Sequence, residues 1–463
     1  MTPKTAIDDV LQCVDEGMTD SVNGLSDLLS FPSVSSEPVG SAGIAACADW
    51  LIRQLREIGL EAEIVKTAGH PVVLAKSLHH PVLPTVLFYG HYDVQPADST
   101  ENWDMPPFEP ALKEEDGLTR IYARGASDSK GQFWTVVEAL RAWKNARGGW
   151  PVNVIVMIEG EEEFGSPSLP AFIEAKKEAL ACDIAFNSDS DMWSPRRPAI
   201  TTRLKGLVHE KVTVIAPHGD LHSGHFGNVA ANPLRILAKL LASVHDDDGK
   251  VLIDGFYQGV EPVAPQLRTL WEELDAAEAL AGVSIDGGPN EGGLGPVELM
   301  WGRPGIDFNG MWGGNTGPTE RSVLPGSASA RVTFRLVGRQ RPEHVRRLFR
   351  RFIQDRLPAG CRAEFEGSGG SAPVSMEETG PYIAAAIRAL DAEWPEPALI
   401  KGTGGTVPVV GWLSEKLGVD CLSIGFILGD DAIHAPNERF DCERLRKGIR
   451  SWVRLLSELA AQR

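Results

Sequence analysis

The sequence predicts an α/β fold, a mostly parallel sheet with helices on both faces that carries a smaller inserted α+β domain. Three observations lead there. Apolar runs at residues 86–88, 153–158 and 183–188 read as buried parallel strands, and each leads into histidine or acid residues. Amphipathic helical stretches stand between and around them. After Lys205-Gly206 the pattern switches to period-two alternation, and the first pattern resumes from about Glu377.

A chain of 463 residues is too long for one ordinary core and fits two or three domains. The expected division is 1–206, the first part of a principal domain; 207–380, the insert; and 381–463, the second part. Residues 6–30 carry Val10, Val14, Met18 and Val22 at helical spacing, and Phe31-Pro32-Ser33 ends that helix. Residues 45–58 form a second helix with Trp50, Leu51, Leu55 and Ile58 on one face. Short strands at 61–65 and 72–75 precede the buried run Val86-Leu87-Phe88. Residues 97–120 are polar and proline-rich and read as a loop with apolar anchors such as Trp103 and Phe108. A helix over 133–143 follows, for which Asp128 or Ser129 supplies an N-cap.

In the insert, Val208, Val212, Val214 and Ala216 fall in phase and mark a half-buried strand, and Leu234, Leu237, Leu241 and Val244 mark a helix. Residues 246–326 are rich in glycine, proline and acids, with a helix near 265–281. Ala328, Ala330, Val332, Phe334 and Leu336 alternate with polar residues, leaving Arg331 and Arg335 on an open face. A helix with Val345, Leu348, Phe349, Phe352 and Ile353 inward and a strand at 363–365 complete a split α+β unit. A helix at 382–390, a loop at 402–406, a strand at 421–426 and a closing helix with Leu445, Ile449, Trp452, Leu456 and Leu459 belong to the resumed domain.

The composition, 43% hydrophobic and 23% charged, fits a soluble globular enzyme. A formal net charge of -18 argues against nucleic acid or an anionic membrane as partner. The first residues hold no apolar segment of a secretory signal, and no run of 18 apolar residues exists to span a membrane. The six cysteines are scattered without a C-x-x-C pair, which points to free thiols in a reducing compartment and hence to the cytoplasm.

The chemistry gathers at strand ends. Tyr89-Gly90-His91-Tyr92-Asp93 places a histidine and an acid two residues apart after a buried strand. A metal-bound imidazole usually gives its second N–H to a carboxylate, so His91 reads as a ligand and Asp93 as its orienter. Taken alone, the triplet is a weak signal and reads first as the polar end of a strand making ordinary loop hydrogen bonds. Glu159, Glu161, Glu162 and Glu163 crowd the end of the 153–158 run, and a cation would relieve their repulsion. Asp189 follows the third strand, and His434 lies just past the strand at 421–426. Five candidate ligands result: His91, Asp128, Glu163, Asp189 and His434. Two imidazoles and three carboxylates suit Zn²⁺ or a similar divalent ion. They are too many for one tetrahedral ion with an open position, and they fit two ions ~3.5–4 Å apart that share a carboxylate. Glu162, beside Glu163, is placed as a general base.

With these residues in hand, the sequence resembles the M20 family of co-catalytic metallopeptidases, nearest to its dipeptidase branch with the cytosolic carnosinase-like enzymes. The resemblance rests on Gly90-His91-Tyr92-Asp93, Arg124-Gly125-Ala126-Ser127-Asp128-Ser129-Lys130-Gly131, Glu159-Gly160-Glu161-Glu162-Glu163-Phe164-Gly165-Ser166, Ser188-Asp189, Asp220-Leu221-His222-Ser223-Gly224 and His434-Ala435-Pro436-Asn437-Glu438. It implies that the insert is a ferredoxin-like lid and dimerisation domain. It implies that Asp128 bridges two ions and is followed by a cis peptide bond, that His91 and Asp189 hold one ion and Glu163 and His434 the other, and that Asp93 supports His91. By the same resemblance Glu162 is the general base for a metal-bridging water. His222 is a lid histidine that in dimeric members stabilises the oxyanion in the partner subunit's site, and Arg335 pairs with the substrate's C-terminal carboxylate. Ser322 falls where relatives have a threonine near the substrate, and Gly405-Thr406 where they have Gly-Ser. Lys205 stands where an arginine is common, and Asn228 replaces a glycine.

The expected function is therefore hydrolysis of dipeptides or short peptides by a homodimer with two divalent ions, Zn²⁺ first and Mn²⁺ or Co²⁺ next. An N-acyl-amino-acid deacylase or a carboxypeptidase would use the same machinery, and a metal-bound scaffold without catalysis is the remaining alternative. A histidine in a turn such as His222 is otherwise a solvated surface group, and Arg335 on an open strand face otherwise a surface cation.

Overall fold

The computed structural model describes residues 6–38, 41–97, 102–274, 291–319 and 321–461. The chain forms two compact units: Met1–Thr202 with Met376–Lys401 and Pro408–Arg463, and Arg203–Ser375 with Gly402–Val407.

The first unit is organised on a sheet in the order Glu61–Val65, Val72–Lys76, Asn153–Glu159, Thr85–His91, Ile184–Asn187, Cys421–Ser423 and Ala199–Leu204. Its centre is parallel. Thr85–His91 pairs in parallel with Asn153–Glu159 and with Ile184–Asn187, which pairs in parallel with Cys421–Ser423. The outer pairings are antiparallel. Every residue of Asn153–Glu159 and of Ile184–Asn187 is buried, which is why these runs lack the alternation of a one-sided strand. Helices Ala6–Leu29, Lys130–Arg147 and Cys442–Ala460 pack on one another, with Pro381–Asp391 against the last. Ala42–Glu57 packs on the outer strands, and Leu169–Ala175 pairs with Pro408–Leu417. Phe88, Phe186 and Trp452 join the closing helix to the sheet, with ring centroids 5.6–6.0 Å apart.

The parallel strands bring their carboxyl ends to one edge, where an open α/β sheet builds its sites. Gly90 is needed for this: a Cβ there would stand 2.6 Å from Phe133 Cβ, so only glycine lets the start of the next helix approach the strand that carries His91.

Residues 97–120, expected as loop, hold more structure than that. Ala111–Glu115 and Leu118–Tyr122 form a hairpin whose third strand is Arg439–Asp441. Its turn is Asp116-Gly117, both at positive φ, the backbone a tight hairpin requires. The charged strand Ala-Leu-Lys-Glu-Glu is only half-buried, so apolar content does not betray it.

The second unit runs strand, helix, strand, strand, helix, strand: Gly206–Ile215, Pro233–Ala242, Gly305–Gly313, Ser327–Leu336, Pro342–Gln354 and Arg362–Glu366, with the shorter helices Pro265–Glu272 and Pro296–Gly302 intervening. The sheet order is Gly305–Gly313, Ser327–Leu336, Gly206–Ile215, Arg362–Glu366. One face is apolar. Val208, Val212, Val214, Val332 and Phe334 meet Leu237, Leu241, Phe349 and Ile353 of the two longer helices. The strand Gly305–Gly313 was not anticipated, because its glycines and a register shift at Phe308/Gly310 break the period of two. The helix expected at 265–281 ends at Glu272, and 275–281 lie outside the described residues. Among the described residues no helix is long and apolar enough to cross a membrane.

Candidate metal centre

Two overlapping groups of potential ligands sit in the first unit. His91, Asp128 and Asp189 form one, and Asp128, Glu163 and His434 the other, the ligand atoms of each lying within 4.8 Å of one another. Asp128 divides its oxygens between them: Oδ1 is 3.2 Å from His91 Nε2 and Oδ2 is 2.8 Å from His434 Nε2. His91 Nε2 also lies 3.7 Å from Asp189 Oδ2, and His434 Nε2 lies 3.1 Å from Glu163 Oε2. The peptide bond Asp128-Ser129 is cis. Ser129 is at the N-cap position of Lys130–Arg147 without a side-chain capping bond, so the acid before it is left for the cluster.

The His91 ring is held from behind. Its Nδ1 is 3.1 Å from the Asp93 carbonyl and 3.3 Å from Asp93 Oδ1. That fixes the ring and turns its Nε2 edge toward Asp128 and Asp189. Nε2 is buried and makes no well-formed hydrogen bond. A ring nitrogen buried between two carboxylates is a donor set that suits a cation. Asp93, fully buried, also accepts the backbone N–H groups of Glu162 at 3.2 Å and Glu163 at 3.0 Å, so it supports both triads. Gln95 Nε2 donates to Glu163 Oε2 at 2.9 Å.

The electrostatics agree with a cation site. Burial is the largest influence on Asp128, but its hydrogen bonds with His434 and His91 outweigh it and hold the carboxyl well below its usual range. Hydrogen bonds with Asp128 and Glu163 push His434 up to about 10. Burial opposes a charged His91, yet the carboxylates of Asp128, Asp189 and Asp93 around the ring hold it well above an ordinary histidine. Such acid–imidazole pairs are what a divalent ion replaces with coordination bonds. Glu162 belongs to neither triad. Burial first, then the charges of Asp189, Glu163 and Asp93 against the opposing influence of His91, raise it to about 8.

The acid run 159–163 does not act as four mutually repelling groups. Glu159 turns back into the sheet, accepting from Tyr89 Oη at 2.5 Å and Ser166 Oγ at 3.0 Å. Glu161 accepts from the backbone N–H of His70 at 2.7 Å and of Ser168 at 3.1 Å. Only Glu162 and Glu163 remain for chemistry. Glu438, quoted in a motif but given no role from sequence, accepts four donors around Asp128, and nothing in its spacing signals this.

Other residues singled out in the sequence lie in the second unit. Gly224 N–H donates to His222 Nδ1 at 3.1 Å, so a neutral His222 carries its proton on Nε2, and the His225 ring stacks on it at 4.6 Å. Ser322 lies beside this turn, its carbonyl accepting from Ser223 N at 2.8 Å. Arg335 Nη1 donates to Thr406 Oγ1 at 3.2 Å, next to Gly405.

An imidazole–carboxylate donor set at the carboxyl ends of a parallel sheet, with an unshared carboxylate beside it, defines a metal-dependent hydrolase. The chain belongs to peptidase family M20/M25/M40, whose model matches residues 87–458. It is 27% identical to the Cys-Gly metallodipeptidase dug1 of Schizosaccharomyces pombe, over 99% of both chains. It is 28% identical to the Beta-Ala-His dipeptidase of Homo sapiens, over 99% of this chain and 94% of that one. The crystal structure of an M20 family metallo-carboxypeptidase from Sulfolobus solfataricus superposes with a TM-score of 0.79 at 30% identity, covering 96% of this chain and 99% of that one.

Proposed function

We propose that the protein is a dinuclear metal-dependent dipeptidase that cleaves the amide bond of dipeptides or short peptides next to a free C-terminal carboxylate. The observation that carries this reading is Asp128, facing His91 with one oxygen and His434 with the other, beside a glutamate that belongs to neither triad. His91, Asp128 and Asp189 would hold one divalent ion, and Asp128, Glu163 and His434 the second. Zn²⁺ matches this donor set best, and Mn²⁺ and Co²⁺ are compatible. Bound there, the ions polarise the scissile carbonyl and acidify water in the site.

The chain's own groups do the rest. Burial makes the Glu162 carboxylate a stronger base than a surface glutamate. Glu162 takes a proton from the attacking water as its oxygen bonds to the carbonyl carbon, and passes that proton to the amine as the C–N bond breaks. Asp93 keeps the His91 ring and the 162–163 backbone in place. His222 donates from Nε2 to the developing oxyanion. Arg335, with Gly405 and Thr406 beside it, pairs with the substrate carboxylate, and Ser322 stands near the substrate.

A homodimer through the inserted domain fits the edge strand Gly305–Gly313, which exposes Phe308, Met311 and Trp312 for a second copy to cover. A cytoplasmic setting fits the six cysteines, none of which is in a disulfide.

The test is amino-acid release from dipeptides, tripeptides and N-acetyl amino acids by the metal-loaded protein, with Glu162→Ala alongside. Dipeptide cleavage lost in a variant that keeps its metal supports the reading, and full activity in that variant sinks the mechanism. A carboxypeptidase on the same site is the second reading, favoured by the 30% identity to the metallo-carboxypeptidase. Release from tripeptides rather than dipeptides selects it, and release from the N-acetyl compounds alone selects a deacylase.

A further inference from the structure

Two cations of the second unit, Lys205 and Arg335, stand near one another in the sheet. Leu207 pairs with Arg335 and Gly206 with Leu336, so Lys205 stands at the head of one strand beside the end of the other that carries Arg335. Thr406 joins them: Arg335 Nη1 donates to its Oγ1 at 3.2 Å, and that Oγ1 donates to the Lys205 carbonyl at 2.5 Å. Lys205 Nζ donates to the Leu299 carbonyl at 3.0 Å, in the helix Pro296–Gly302. Among the described residues neither Lys205 nor Arg335 has a carboxylate in salt-bridge range. Glu291 is engaged by Arg303, and Asp307, on the adjoining strand, pairs with Thr333 in the sheet and is exposed.

A buried ammonium is ordinarily neutralised by an acid. Lys205 is only 7% exposed and stands two residues before Leu207, the ladder partner of Arg335, so the two cations share one face of the strand pair. Burial first, then the charge of Arg335, bring it down to about 8. An arrangement that is unfavourable when empty becomes favourable when an anion enters, because one carboxylate relieves both charges.

We propose that Lys205 is a second cation for the substrate's C-terminal carboxylate, acting with Arg335. The inference rests on the assignment of Arg335 to that carboxylate. It makes the free carboxylate the most strongly read feature of the substrate, and it predicts that a dipeptide amide is a poor substrate.

The test is steady-state kinetics of Lys205→Met, Lys205→Gln, Lys205→Arg and Arg335→Met on a hydrolysed dipeptide, with a thermal melt of each. Loss of a charge-assisted contact made equally in the ground and transition states raises KM by about tenfold or more and leaves kcat within about twofold. That is expected of the Met and Gln variants, with Lys205→Arg close to the wild type. Glutamine keeps a donor for the Leu299 carbonyl, so its effect reports the charge even if methionine unfolds the unit. An unchanged KM in Lys205→Gln together with a raised KM in Arg335→Met overturns the proposal and leaves Lys205 as a cap for the helix. An unchanged KM in Arg335→Met overturns the carboxylate assignment beneath it.

Discussion

Glu438 accepts the backbone N–H of Asp128 at 2.9 Å, and with this bond the loop that carries one candidate ligand is fastened to the loop that carries another. The same oxygen accepts from Ser127 N, and the other accepts from Gly125 N and from Arg124 Nη1, all at 2.9 Å. At the far end of the 431–438 loop Asp431 accepts the Ser127 hydroxyl at 2.6 Å and is held by Arg444. Arg439 N bonds the Asp431 carbonyl at 3.0 Å and closes the loop on itself. His434 lies between these two anchors. The relative placement of Asp128 and His434 is thus set by groups that are not themselves in either triad.

Glu438→Gln is expected to weaken divalent-ion binding. A carboxylate satisfies four donors, whereas an amide turns its NH₂ toward two of them and leaves those buried N–H groups unpaired. Outer partners of metal ligands typically account for about 10–100-fold in affinity, and a loss in that range is expected here. Chelator competition on the folded variant measures it. Affinity equal to the wild type would show that the loop is held by Asp431 alone.

Asp93→Ala removes support from both triads at once, since one carboxylate faces His91 Nδ1 and accepts the N–H groups of Glu162 and Glu163. In the proposed two-ion site both ions are expected to bind about 10–100-fold more weakly, seen as two displaced steps in a metal titration. A single displaced step would confine its role to the His91 side.

What was legible in the sequence follows from range. His91 and Asp189 stand directly after buried apolar strands, and parallel strands must bring their ends to one edge, so their neighbourhood could be read locally. The helical faces of 233–242 and 442–460 were legible for the same reason, because a stripe of Leu and Ile states which side is inward. Glu438 and Gln95 were not, because their partners are backbone groups or carboxylates from distant segments, and spacing carries no record of them. Glu159 and Glu161 were misread as part of one repelling run. Their sequence adjacency hides that one points into the sheet toward Tyr89 and the other holds the His70 backbone. The 111–122 hairpin was hidden by its charges, although Asp116-Gly117 marks the turn.

Glu159 makes the metal-free protein sensitive to pH. Burial pushes its carboxyl up to about 8, against the opposing hydrogen bond from Tyr89. In the unfolded chain the group titrates near an ordinary glutamate, so between about pH 4.5 and 8 the folded state holds a proton that the unfolded state has lost. Its contribution to stability is therefore full below about pH 4.5 and is lost as pH rises through about 8. Glu159→Gln, uncharged throughout, is expected to flatten this fall in a chelated sample, with melting temperatures at or above those of the wild type near pH 8. Parallel Tm–pH curves for the two would place the ionised form in the folded protein.

His222 has two separable uses. Its Nδ1 accepts Gly224 N–H at 3.1 Å and so caps the short helix Ser223–Phe226, while the same bond leaves the ring proton on Nε2. Asparagine reaches about as far as Nδ1, and its side-chain oxygen can take over the cap, but it has nothing at the Nε2 position. His222→Asn is therefore expected to fold and to bind metal as the wild type does. If Nε2–H stabilises the oxyanion, kcat falls about 10²–10³-fold, the usual effect of removing one such donor. Steady-state kinetics at matched metal content decide it. A kcat within about threefold of the wild type would reduce His222 to a helix cap, because an oxyanion donor cannot be lost at so small an effect.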